Sequence, residues 1–211
     1  MENTNENKEM TAQESLSLIT ETLNNSRKEI TRRSGKYFLF WGALLVFFSL
    51  LIYLLWETTD NPAWNFLWFA MPAIGMPLEK FSRRKNPSER VQNDVSRING
   101  GIWATFGIFA CVMSLLSFIL VEFADGLIGL FRSIAAVVGL TPAIILLFGL
   151  AESISGVVLK NWTVRIAGLV TGIGGWFLYY ITGAEAEQLI IFAFAGLVLV
   201  VTGLIVKYQY R

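Results

Sequence analysis

The chain has 211 residues, of which 54% are hydrophobic, and a formal net charge of +1. A soluble domain of this size cannot bury that much apolar surface. The apolar residues also fall in blocks of about 20, the length that crosses a ~30 Å hydrocarbon core at 1.5 Å per residue. There is no histidine, which removes the commonest metal ligand and general base, and the one cysteine, Cys111, cannot form an intrachain disulfide. Composition therefore points to an all-α polytopic membrane helical bundle, set against a soluble bundle with unusually apolar helices.

Residues 1–9 read as a polar disordered tail and lack the charged-then-apolar pattern of a cleaved signal peptide. Thr11-Ala12-Gln13-Glu14 is a capping box, so a helix is expected to start there. Leu16, Ile19, Leu23 and Ile30 form an apolar stripe at helical spacing, and the rest of that helix is polar. It is expected to end near Ser34-Gly35, in a basic patch of Arg32, Arg33 and Lys36, so that residues 1–35 make a cytoplasmic tail and amphipathic helix.

Six membrane helices are expected within residues 36–207, at about 37–56, 62–80, 102–121, 142–160, 162–181 and 186–206. Asn61-Pro62 is a good start for the second, because Asn caps and Pro lacks the N–H that would go unpaired. Pro72 and Pro77 predict a kink in it. The loop 81–101 carries Arg83, Arg84 and Lys85. Asn86-Pro87 and the stripe Val91, Val95, Ile98 predict a short helix there, stopped by Gly100-Gly101.

The stretch from Gly126 to Lys160 is too long for one ordinary crossing, and two registers fit it. One crosses at 127–150 and then loops. The preferred one starts at Thr141-Pro142-Ala143, which repeats the Asn61-Pro62-Ala63 signal, with Pro142 and Lys160 spaced as Pro62 and Lys80 are. Residues 126–140 then form an outer segment, in which Leu127 to Val138 either lie in the interface or dip into the membrane.

Every Lys and Arg except Arg132 falls on one side of this layout, while Glu57, Asp60, Glu122, Asp125, Glu185 and Glu187 fall on the other. Positive residues near short loops stay cytoplasmic, so both termini are expected inside a bacterial inner membrane. Trp41, Trp56, Trp64, Trp103 and Trp162 sit near expected helix ends, as an interfacial aromatic belt would. Arg132 is read as snorkelling or pairing with Glu122 or Asp125, with binding of an anion or lipid headgroup as the alternative.

The layout has the form of three tandem helix hairpins. Its returning helices end alike, in Gly75-Met-Pro-Leu-Glu-Lys80, Gly156-Val-Val-Leu-Lys160 and Gly203-Leu-Ile-Val-Lys207. Chance likeness among Gly-rich helices that end in Lys is the alternative.

Glu152 is the most informative residue. In the preferred register it lies ~15 Å along the fourth helix, near the bilayer midplane, and a carboxyl there is a functional candidate by default. In the other register it sits at the cytoplasmic interface. Its potential partners are Ser153, Ser155 and Thr171. A static hydrogen bond is the plainer role for a buried Glu152 and transport the sharper one. Gly168, Gly172 and Gly175 share one face of the fifth helix. That face packs within the bundle or, alternatively, makes a homodimer.

Catalytic patterns are absent: there is no phosphate-binding Gly-rich loop, and the Ser153-Ile-Ser-Gly156 stretch has no histidine to activate it. No cofactor, metal or nucleic-acid partner is expected. The runs MTAQESLSLI at 10–19, FWGAL at 40–44 and NPAWN at 61–65 resemble a group of small multi-spanning bacterial inner-membrane proteins of unknown function. That resemblance implies a membrane protein and nothing about activity.

Three functions compete. The first is a non-enzymatic module that signals to, or anchors, a cytosolic protein through the N-terminal helix and the basic surface of Arg32, Arg33, Lys36, Arg83, Arg84 and Lys85, which also suits anionic lipid. The second is a small transporter or channel subunit using Glu152. The third is a structural or lipid-interacting protein.

Overall fold

The computed structural model describes residues 11–85, 94–123, 139–182 and 186–209, and these hold helices and turns without a strand. The tail 1–9, the 86–93 part of the loop, and Arg132 with most of the outer segment lie outside the described residues. Among the described residues, four helices are long and apolar enough to cross a membrane: Gln13–Thr59, Val95–Leu116, Leu140–Val158 and Gln188–Gln209.

Helix α1 (Ala12–Thr59) opens on the expected capping box. The Thr11 hydroxyl accepts from the Glu14 N–H, and the Glu14 carboxylate accepts from the Thr11 N–H at 2.9 Å. The backbone and side-chain hydrogen bonds from Thr11 hold the Glu14 carboxyl below its ordinary value. The contact is therefore fully present above the ordinary carboxylate range and is lost as pH falls through the lowered folded value. The exchange protection of the first turn of α1, taken relative to the intrinsic rate at each pH, is expected to fall on acidification through that window. In Glu14→Ala, which removes the titrating group, it should be low throughout and lose this pH dependence.

The helix does not end at Ser34-Gly35. It runs on without interruption for 48 residues, about 72 Å. The reason lies across the bundle. Gly35 is buried, and a Cβ on it would sit 3.0 Å from the Gly203 carbonyl oxygen and 3.2 Å from the Lys207 nitrogen. No glycine among the described residues has positive φ, so Gly35 is a point of close approach and not a left-handed cap. From Gln13 to Ser26 every residue is exposed except half-buried Ser15. Burial begins at Ile30 and Thr31. The first five turns therefore project as a stalk continuous with the apolar part of α1.

Asp60, in the left-handed region at φ 50°, and Asn61, which caps through Oδ1 to the Ala63 N–H at 2.9 Å, reverse the chain. The expected second helix is not uniform. Pro62–Phe69 is a 3₁₀ helix, and α2 (Ala70–Lys85) is α-helical around Pro77. The Pro72 ring cannot share space with the carbonyl four residues back, so the α-helical pattern starts only just before it. Gly75 lets the Trp41 ring approach, and Trp41 Nε1 donates to Glu79 Oε2 at 3.0 Å.

Helix α3 (Asp94–Phe123) passes straight through Gly100-Gly101. Both glycines stay right-handed and meet nothing within 4 Å, so they weaken the helix by about 1 kcal/mol each without stopping it. Trp103 and Phe106 pack α3 onto Phe148, with ring centroids 5.3 and 5.4 Å apart.

Helix α4 (Leu140–Val158) begins beside the Thr141-Pro142 start signal. Lys160, at φ 51°, and Asn161, capping the Val164 N–H at 3.0 Å, then repeat the Asp60-Asn61 turn. Beyond it, α5 (Trp162–Leu169), a π turn (Val170–Gly174) and α6 (Gly175–Tyr179) occupy the expected fifth helix. The last helix is α7 (Gln188–Gln209).

Helices α1 and α7 pack antiparallel through two glycine pairs, Gly35 with Gly203 and Gly42 with Gly196. At one end of the bundle Thr31 Oγ1 donates to the Leu159 carbonyl at 3.4 Å, and Asn161 Nδ2 donates to Gln209 Oε1 at 3.3 Å. This gathers Arg32, Lys36, Lys160, Arg165 and Lys207 at that end. The three glycines that end the returning helices do different jobs. Gly75 meets α1, Gly156 meets the Arg165 backbone on α5, and Gly203 meets α1.

The exterior is apolar, unlike that of a soluble protein, and the apolar core also holds polar side chains. Phe47, Leu54, Ile108, Leu150 and Phe177 are exposed, while Ser49, Glu152, Ser155, Thr171 and Thr202 are buried. The arrangement is compatible with a membrane protein, whose helices turn apolar residues to lipid and keep polar groups in the bundle.

Candidate functional site

Helix α4 places Glu152 about 15 Å from Pro142 and about 12 Å from Lys160. The residue is 0% exposed. Its surroundings come from the close packing of α4 on α5. A Cβ on Gly149 would stand 2.4 Å from the Gly172 Cα and 2.5 Å from the Gly168 carbonyl oxygen. One on Gly168 would meet the Ser153 nitrogen at 2.4 Å. With no side chain between them the two backbones touch, and the long Glu152 side chain one turn along α4 reaches into the neighbouring helix.

There Thr171 Oγ1 donates to Glu152 Oε2 at 3.2 Å. Thr171 sits in the π turn, a form that widens a helix by one residue and re-aims its side chains. The local sequence Thr-Gly-Ile-Gly-Gly favours this, since poor helix formers lose little by leaving α geometry. Glu152 Oε1 and the Ser155 hydroxyl, one turn apart on α4, are both buried without a hydrogen-bond partner.

Of the sequence-derived polar set, Glu152 and Thr171 are in contact, and Ser155 lies one helical turn from Glu152 on α4. Ser153 turns elsewhere, donating to the Arg165 carbonyl at 3.3 Å. Gly168 and Gly172 face Gly149 on α4, and Gly175 faces Ile145 and Ile191. These glycines are occupied inside the bundle. Among the described residues no group of three or more His, Cys, Asp or Glu side chains is placed to hold a metal.

Comparison with protein-family models, curated proteins and solved structures finds no match.

The basic surface divides. Arg32 and Arg33 pair with Glu29 at 2.8 and 2.9 Å, where the stalk meets the bundle. Partial burial alone would raise the Glu29 carboxyl, but the two guanidiniums outweigh it and leave it below its ordinary value. Lys36 is exposed one turn further on. Arg83, Arg84 and Lys85 end α2, and their side chains are outside the described part. Trp162 is exposed, with the Arg165 guanidinium 4.8 Å above its ring. That stacking pairs a cation with an aromatic face at the basic end of the bundle.

The sequence reading missed the Gly35–Gly203 and Gly42–Gly196 seam. Its signal was present, as a seven-residue glycine spacing repeated in the first and last helices. The π turn was also missed, and the Thr-Gly-Ile-Gly-Gly run was its trace.

Proposed function

We propose that the chain is a non-enzymatic protein of the bacterial inner membrane that signals to, or anchors, a cytosolic protein through the projecting part of α1. In this reading it crosses the membrane six times as three tandem hairpins, with both termini cytoplasmic. The 3₁₀/α2 and α5/π/α6 stretches supply the two crossings beyond the four unbroken helices. The observation that carries the reading is the continuity of α1 from Ala12 to Thr59. A stalk joined to a membrane helix without a break transmits a push or twist that a hinged tail would dissipate.

Exposed Leu16, Ile19 and Leu23 give the stalk an apolar stripe to offer a partner. The clustering of basic residues at its base supports the cytoplasmic orientation and contact with anionic lipid headgroups. In-frame deletion of residues 12–28 spares Ile30 and Thr31, where burial begins. The shortened protein is expected to stay folded in the membrane and to lose the soluble proteins that crosslink to the full-length chain. An unchanged crosslink pattern would count against the proposal. A second reading, a small transporter or channel subunit, is favoured by the burial of Glu152 between α4 and α5.

A further inference from the structure

We propose that Glu152, Ser155 and Thr171 form a proton-exchange site inside the α4–α5 interface. The two Glu152 oxygens have different surroundings. Oε2 accepts the Thr171 hydroxyl, a bond that both a carboxylate and a neutral acid retain. Oε1 is buried and unpartnered and is the atom that carries the exchanging proton. On release, the O–H bond at Oε1 breaks, its electron pair stays on the carboxylate, and the proton passes to water at the bundle end. Uptake is the reverse.

The Ser155 hydroxyl lies one turn nearer the Leu159–Asn161 end, is itself buried and unpartnered, and can both donate and accept. It stands where a relay towards that end would have to pass.

Two observations favour a proton over other ligands. The backbones of Gly149, Gly168 and Gly172 are in contact around the site, which leaves little space for a coordinated cation and its oxygen shell. And among the described residues Glu152 has no ion-pair partner. Among the described side chains, the charged groups on the packed elements lie elsewhere: Arg165 of α5 and Lys207 of α7 are exposed at the basic end, and Arg97 of α3 is exposed. The titratable side chain of α6, Tyr179, lies beside Gly139 at the opposite end, and the π turn carries no titratable side chain. A carboxyl retained among helices without a cation is not a structural salt bridge. The π turn that carries Thr171 is a form found often at functional sites.

The test is infrared difference spectroscopy of the full-length protein in lipid vesicles as pH is stepped. The wild type is expected to show a carboxylic C=O band that appears and disappears with pH and shifts in deuterium oxide, and that is lost in Glu152→Gln. Thr171→Val should move the band's frequency and its midpoint. Ser155→Ala should leave the frequency in place and slow the exchange. These two variants keep Glu152, so the test survives if Glu152→Gln fails to fold. A band that never titrates while the protein stays folded overturns the proposal. So does a Thr171→Val spectrum identical to wild type, or a band that responds to sodium replacing choline at constant pH.

Discussion

Gly149→Ala is expected to cost about 2–5 kcal/mol of stability, although it adds only one methyl group. The new Cβ would stand 2.4 Å from the Gly172 Cα and nitrogen and 2.5 Å from the Gly168 carbonyl oxygen. All three are backbone atoms, so no side-chain rotation relieves the clash, and α4 and α5 must move apart as whole helices. Their separation also draws Thr171 away from Glu152 and leaves a buried carboxyl with neither oxygen bonded.

Two controls make this a statement about position and not about glycine content. A Cβ on Gly172 comes no closer than 3.3 Å to its neighbours, so Gly172→Ala should be accommodated by a small shift. Gly107 faces nothing within 4 Å, and Gly107→Ala should stabilise α3 by up to about 1 kcal/mol through helix propensity. Thermal unfolding of the purified protein in one detergent, followed by the loss of monodisperse material, should rank them Gly107→Ala, wild type, Gly172→Ala, Gly149→Ala from most to least stable. A Gly149→Ala protein as stable as wild type would contradict the close α4–α5 contact, and with it the geometry around Glu152.

What the sequence made legible was local. The capping box at Thr11 and Glu14 and the Asn61 cap rest on contacts within a few residues, and each forms as expected. A helix beginning beside Thr141-Pro142 was legible because that pair repeats a start signal at a matching distance from a lysine. What remained hidden was set by residues far away in the chain. Glycine is the clearest case. At Gly35 it was read as a stop, since a helix that ends in the left-handed region favours glycine there. The same residue also suits a helix that another backbone must approach, and the choice is made by Gly203 on the last helix. At Gly100 and Gly101 no partner approaches, and the apolar run that follows carries the helix through. The π turn escaped for a related reason. A run rich in Gly shows weak α preference without saying which alternative the packing selects. Glu152 could be recognised as an anomaly from its neighbours in sequence. The choice of Thr171 over Ser153 depended on where α5 lies against α4.

The seam between α1 and α7 carries the second large effect. Gly42→Leu is expected to abolish the folded bundle or to lower its stability by about 3 kcal/mol or more, at the upper end of the cost of overpacking. A Cβ on Gly42 lies 2.8 Å from the Gly196 carbonyl oxygen and 2.9 Å from the Val200 nitrogen. Across the seam, one on Gly196 lies 2.9 Å from the Gly42 carbonyl oxygen. The contact is backbone against backbone from both sides, so a branched side chain cannot turn out of it. Small residues are what allow such approach between helices in lipid, where close packing replaces the hydrophobic effect as the source of association.

Forcing α1 off α7 opens the core where Phe38, Leu45, Ala195, Leu199 and Val206 meet, and it detaches the base of the stalk from the helix that holds it. Gly35→Ala, whose Cβ would meet its neighbours at 3.0–3.2 Å, should be milder. Dilution separates this account from one in which the glycines serve self-association. Because both glycine pairs are satisfied within one chain, the loss in Gly42→Leu should not depend on protein concentration. A defect that raising the concentration repaired would place the seam between two copies instead.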